Sequence, residues 1–170
     1  MAATDEIEQI APPSRGPFAG HYRPFGGYGA LVLAFNASLV GFLVAAERRG
    51  RLPERYAPGD VALLAVASFK LSRLITKDRV TSVIRAPFTR FQEDVGHGEV
   101  AEAARGTGLR RALGELLVCD FCLAQWTAAG FVGLFAVAPR PARTLSAMWT
   151  AHAAADVLQF GYSRLLESGS

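Results

Sequence analysis

Cysteine is nearly absent from this sequence: 170 residues hold two, Cys119 and Cys122, in a single C-x-x-C. A disulfide framework of the secreted kind needs more than one pair, so none is expected. Lysine is as scarce (Lys70 and Lys77), and arginine supplies the rest of the 18 basic side chains. Recognisable catalytic signatures are missing as well. No Ser sits in a G-x-S-x-G elbow, no H-E-x-x-H occurs, and no Gly-Lys-Ser/Thr closes a phosphate loop. Zinc-finger spacing and aromatic-studded basic strands are also lacking, which removes nucleic acid from the expected partners. No basic cluster precedes the first long apolar run, which begins near Tyr28 after Asp5, Glu6 and Glu8. A cleaved secretory leader is therefore not expected, and that first run would act as an uncleaved anchor.

Hydrophobic residues make up 51% of the chain and charged residues 19%, with a net charge of +3. Such averages fit either a greasy soluble domain or a small membrane protein, so the distribution of charge must decide. Charge gathers at 47–59, 70–94 and 102–120 and leaves 28–46, 121–138 and 144–163 almost bare. The run from Tyr28 to Ala46 has no charge at all. Its length at 1.5 Å rise per residue is roughly 28 Å, close to the hydrocarbon thickness of a bilayer. The predicted fold is an all-α polytopic membrane protein with about four transmembrane helices, at 28–46, 60–76, 116–138 and 144–162. A disordered Pro/Gly-rich tail over 1–27 precedes this single helical membrane domain, 28–163, and a short tail over 164–170 follows. Residues 77–118, broken by Pro87 and by Gly96, Gly98, Gly106 and Gly108, read as a long connection between spans two and three. Placing that arginine-rich connection in the cytoplasm puts both termini inside the inner membrane, although the basic turn after Ala46 pulls the other way.

Three constellations could carry chemistry. Cys119 and Cys122, three apart, share a helix face near a helix start, where the dipole favours thiolate. They suit a reversible dithiol, half of a metal site shared across a dimer, or plain packing; His97 is a conceivable third ligand. Lys70, Arg73, His152 and Asp156 are ionisable groups inside expected spans. Depth counting puts Asp156 level with Lys70 and Arg73, so an intramembrane ion pair is expected, with His152 one turn away. It would be structural, or part of a proton or ion relay. Arg110 and Arg111, after the turn at 106–108, offer with Arg85 a site for an anion such as a lipid headgroup phosphate; a solvated basic turn is the alternative.

The blocks KLSRLITKDRVTSVIRAPF (70–88) and GTGLRRALGELLVCDFCLAQW (106–126) resemble the uncharacterised bacterial membrane proteins catalogued as domain of unknown function 1360. That family includes a sporulation-associated member. The likeness runs over roughly 60–140. It implies a multi-span membrane protein and no established activity. The residues matching the family pattern are Arg73, Asp78, Arg79, Arg85 and Pro87 in the first block and Cys119, Cys122 and Trp126 in the second. One position departs: the family usually reads C-P-x-C, and Asp120 replaces the proline here. Its charge would raise a neighbouring thiol's pKa, which counts against redox chemistry.

The expected function is a structural or interaction component of the bacterial inner membrane rather than an enzyme. Its partners would be anionic lipid headgroups, a second copy or another membrane protein, and no cofactor is identified. The alternatives are a dithiol redox or metal-linked protein using the C-x-x-C, and a small transporter or channel accessory using His152 and Asp156.

Overall fold

A computed structural model describes residues 23–169. The expected tail over 1–27 lies mostly outside them. In chain order the elements are α1 (Phe25–Arg48), α2 (Pro58–Lys77), α3 (Ser82–Arg85), β1 (Thr89–Gly96), β2 (Glu99–Ala104), α4 (Gly108–Val118), α5 (Asp120–Val137) and α6 (Pro139–Ser168).

Two features of the expected all-α, four-span fold are corrected. First, only α1 and α5, among the described residues, are long and apolar enough to cross a membrane. Charge disqualifies α2, which carries Asp60, Lys70, Arg73 and Lys77. α6 has Asp156 as the one charge between Thr144 and Gly161, but His152, Gln159 and many small or polar residues leave that stretch too weakly apolar. Second, the connection over 77–118 is structured. Residues 89–104 form an antiparallel hairpin, paired from Thr89 opposite Ala104 to Gly96 opposite Glu99, with register shifts after Phe91 and Asp94. Gly96, His97 and Gly98 all take positive φ (87°, 51° and 79°), and the last two form the reversing turn. That backbone matches the right-handed twist of the flanking strands, which explains the Gly-rich sequence there.

Helix boundaries follow local chemistry. Pro58 opens α2 and Pro139 opens α6, each in the first turn, where a missing N–H costs nothing. Asp60 is therefore not the cap of α2. It lies within the first turn and receives two hydrogen bonds, both 2.8 Å, from the Arg143 guanidinium. The predicted span over 116–138 is broken at Cys119, whose extended backbone (φ −104°, ψ 100°) ends α4 and caps α5.

The core lies where α2 packs between α5 and α6, around Leu64, Ala67, Phe131, Phe135 and Ala142. Ala67, Ala142 and Ser146 are wholly buried, and these small side chains let the helices approach closely. α1 rests on α4 and α5. Its Gly27 sits so near α4 that a Cβ there would fall 2.7 Å from the Ala112 Cβ and 2.8 Å from the Gly108 carbonyl oxygen. Gly114 of α4 is tighter, with a Cβ placed 2.5 Å from the Phe88 carbonyl oxygen. Backbone cannot rotate aside, so Gly114→Ala should destabilise the fold by about 1–3 kcal/mol. Thermal unfolding of the purified variant measures this; an unchanged midpoint would mean that α4 and the hairpin do not pack as described.

Candidate functional site

One end of the helix assembly carries a polar cap. The end of α2, α3, the hairpin, α4 and the starts of α1 and α5 meet there. Its centre is Arg85, which is wholly buried, paired with Glu102, whose side chain is 4% exposed. The Arg85 guanidinium donates twice to Glu102, both at 3.0 Å, and also to the carbonyl oxygens of Ile75 (2.5 Å) and Asp78 (3.0 Å). Those carbonyls belong to the end of α2, where helical acceptors lack intrahelical donors and the dipole favours a cation. The Ser82 and Thr89 hydroxyls donate to the Glu102 carboxylate as well, at 2.5 and 2.6 Å. One ion pair thus ties α2, α3 and both strands together.

Burial pushes the Glu102 carboxyl up, but hydrogen bonds from Arg85, Ser82 and Thr89, with the Arg85 charge, outweigh it and hold the group below its ordinary value. A carboxyl with a lowered folded pKa contributes stability that is complete above its unfolded value and fades as pH falls through the folded one. Stability should therefore decline below about pH 4.3, the ordinary glutamate value. Unfolding midpoints measured down an acid series, compared with Glu102→Gln, test this; equal slopes for both proteins would contradict it.

Around the hub, Arg73 donates to both Glu99 oxygens (2.9 and 2.8 Å) and lies 3.9 Å from Asp120. Asp78 accepts the Val80 N–H at 2.8 Å and pairs through its backbone with Glu99. Arg79 bonds Asp94 at 2.8 Å on the surface. Arg110 donates to the Pro87 carbonyl oxygen at 3.0 and 2.8 Å, and Arg111 to Glu115 at 3.1 Å. The expected anion site over Arg85, Arg110 and Arg111 is not assembled: Arg85 is sealed from solvent, and the other two guanidiniums turn toward protein acceptors.

Of the four ionisable groups placed in spans, three come together. Lys70 donates to Asp156, and His152 Nε2 lies 3.8 Å from the other Asp156 oxygen. Arg73 goes instead to the hairpin. The Lys70 side chain is 11% exposed against 45% for Asp156, so the ammonium depends more on the pair. Asp156→Asn should cost about 1–3 kcal/mol by leaving that buried cation short of a charged acceptor. Thermal unfolding checks this, and a midpoint equal to the native one would show that the contact stabilises nothing.

Cys119 and Cys122 are joined in a disulfide, with Cα atoms 5.2 Å apart. The Cys122 N–H donates to the Cys119 sulfur at 3.2 Å, so Cys119 is the side-chain cap of α5. Lys77 donates to the Val118 carbonyl oxygen at 3.0 Å and secures the break just before the pair. Asp120 faces Arg73, which offsets the charge expected to disfavour a thiolate. Joined sulfurs do not act as thiolate ligands, and His97 lies edge-on to Phe160, 5.8 Å away. Among the described residues no three His, Cys, Asp or Glu side chains gather as a metal site.

The pair lines a cleft of about 600 Å³ between α1, α4 and α5. Tyr28 donates to Glu115 in its wall, and Phe35 meets Trp126 edge-to-face at 5.0 Å in its floor. Sequence reasoning missed Glu99, Glu102 and Lys77 as site residues, because the segment holding the two carboxylates read as a connection. The Gly-His-Gly turn between Val95 and Glu99 was the signal that could have found them.

Every residue matched to the family pattern lies in this cap or beside the cleft. A model of the family described as a protein of unknown function (DUF1360) matches residues 63–162. The chain is also similar to the protein named "Sporulation protein YjcA" of Bacillus subtilis (strain 168), 30% identical over 110 residues, which cover 63% of this chain and 93% of that one. No solved structure matches. The family match takes in the hub, the disulfide and most of α6, leaves α1 outside, and covers more than half of the sequence: the chain belongs to the DUF1360 family.

Proposed function

We propose that this chain is an integral component of the bacterial inner membrane, held in lipid by α1 and α5, with its cap serving as a rigid surface for a partner. The partner is a second copy or another membrane protein. The observation that carries the reading is the nakedness of α1. Of its 24 residues only Gly27 and Ala46 are buried, while Leu33 is 72% exposed and Val32 60%. A helix whose first 22 residues, Phe25 to Ala46, carry no charge and have so little cover would be a large apolar patch in water and an ordinary surface in lipid. Asp60–Arg143 and Lys70–Asp156 pair the charges of α2 and α6 where these helices lie against the inserted elements, which lowers the cost of placing them beside lipid.

Washing membranes with alkaline carbonate tests the proposal. The protein should stay in the pellet, as integral proteins do. Its release as a folded, monodisperse species without detergent would reject membrane integration. Cross-linking in intact membranes tests the second half: a photoreactive residue at exposed Phe91 should join a membrane protein or a second copy, and no adduct from either source would reject the cap as an interaction surface.

A further inference from the structure

The cleft beside the disulfide is bounded by the contacting Phe35 and Trp126 rings. A second groove of about 440 Å³, also bounded by Phe35 and Trp126, continues between α1 and α5 past Leu39, Phe42 and Gly133 to Val137. The two share a boundary but differ in chemistry. The first presents Arg23, Tyr28, Asn36, Glu115, Gln125 and the Cys119–Cys122 disulfide; the second is almost wholly apolar, with Ser38 as its polar member. From Trp126 to Val137 the helix rises roughly 16 Å. The combined groove is polar and sulfur-lined at one end and greasy along the rest, the shape of a membrane amphiphile with a compact head. At the head end the lining holds one charge of each sign, Arg23 and Glu115, and Glu115 accepts hydrogen bonds from Tyr28 and Arg111, so the site carries no net charge and a neutral head is the better fit. Cys122 is exposed, and Cys119 is half-buried.

We propose that this groove binds an isoprenoid quinone with its ring against the cysteine pair, and that the pair passes two electrons to it. A phospholipid would match the tail, but nothing in its head would use a disulfide. The chemistry balances in two exchanges. A reduced partner dithiol attacks the Cys119–Cys122 disulfide; the S–S bond breaks, the partner acquires a disulfide, and two protons move to this chain's sulfurs. The reduced pair then gives two electrons and two protons to the quinone, whose two carbonyl oxygens become hydroxyls as the Cys119–Cys122 bond re-forms. Cys119 caps α5, where the helix dipole and the Cys122 N–H stabilise a thiolate, and Arg73 offsets Asp120. The net reaction oxidises a dithiol and reduces a quinone.

The proposal goes beyond membrane residence, and its test needs no bilayer, so the two can fail separately. Full-length protein in detergent is reduced with a small dithiol, freed of it, and mixed without oxygen with decylubiquinone, a fully substituted quinone with a short tail. Thiols are counted by maleimide mass shift and quinol by absorbance. One quinol should appear for each disulfide re-formed. Gly133→Leu and Ser38→Leu, which fill the tail groove, should each slow this about tenfold, the rate equivalent of a lost tail contact, while re-oxidation by glutathione disulfide keeps its native rate. Thiols that persist with the quinone but are lost with glutathione disulfide would overturn the proposal. So would thiols that resist both, a covalent quinone adduct in place of the disulfide, or groove variants as fast as the native protein. Groove protection by phosphatidylglycerol, with no quinone turnover, would reassign the groove to lipid.

Discussion

Replacing Glu102 with alanine is expected to lower stability by about 3–5 kcal/mol, because it leaves the buried Arg85 guanidinium without its counter-charge. The magnitude follows from position. Arg85 has no exposed surface, and Glu102 takes two of its hydrogen bonds. The remaining acceptors are the carbonyls of Ile75 and Asp78 and two hydroxyls, which cannot neutralise a cation in a dry site. Arg85→Met should be comparably damaging, since it strands the carboxylate. The double variant Arg85→Met/Glu102→Met should recover a good part of the loss, as paired replacement of a buried ion pair commonly does. Denaturant unfolding of all three proteins is the measurement. Additive losses in the double variant would mean that the two residues act separately and that the cap has no central ion pair.

Ala37→Asp carries the second large effect. Ala37 lies at the middle of α1 and is exposed. A carboxylate at the centre of a lipid-crossing helix costs about 2.5–3.5 kcal/mol on insertion scales, and its short side chain cannot reach the headgroups. The variant should accumulate poorly in membranes and shift to the soluble or degraded fraction. In a soluble protein the same change on an exposed helix face would be worth a few tenths of a kcal/mol. Quantitative immunoblotting of separated fractions distinguishes the two outcomes, and an unchanged membrane fraction would argue that α1 does not lie in lipid.

What the sequence disclosed depended on the range of the interactions involved. α1 was legible because its uncharged run is long enough to outweigh any local ambiguity, and its helix extends that run by only a few residues. The Lys70–Asp156 contact was approachable because both sides sit on long helices whose rise per residue is fixed. The hairpin was not, since residues 89–104 are short, polar and interrupted by register shifts after Phe91 and Asp94. Its carboxylates therefore went unread, and Arg85 was assigned to lipid headgroups when its partner Glu102 was waiting in β2. The break at Cys119 was hidden by apolar residues on both sides. It depends on Lys77 holding the Val118 carbonyl, a contact between residues 41 apart in sequence. Reading a charge as lipid-facing or paired requires knowing what folds back over it, and that is tertiary information.

The most direct test of the account places a nitroxide spin label on Leu33→Cys, in a Cys119→Ser/Cys122→Ser background reconstituted into liposomes. If α1 crosses the hydrocarbon, molecular oxygen will relax the label strongly and a water-soluble nickel chelate will barely affect it. Strong relaxation by the nickel chelate would put this face of α1 in water and contradict the account.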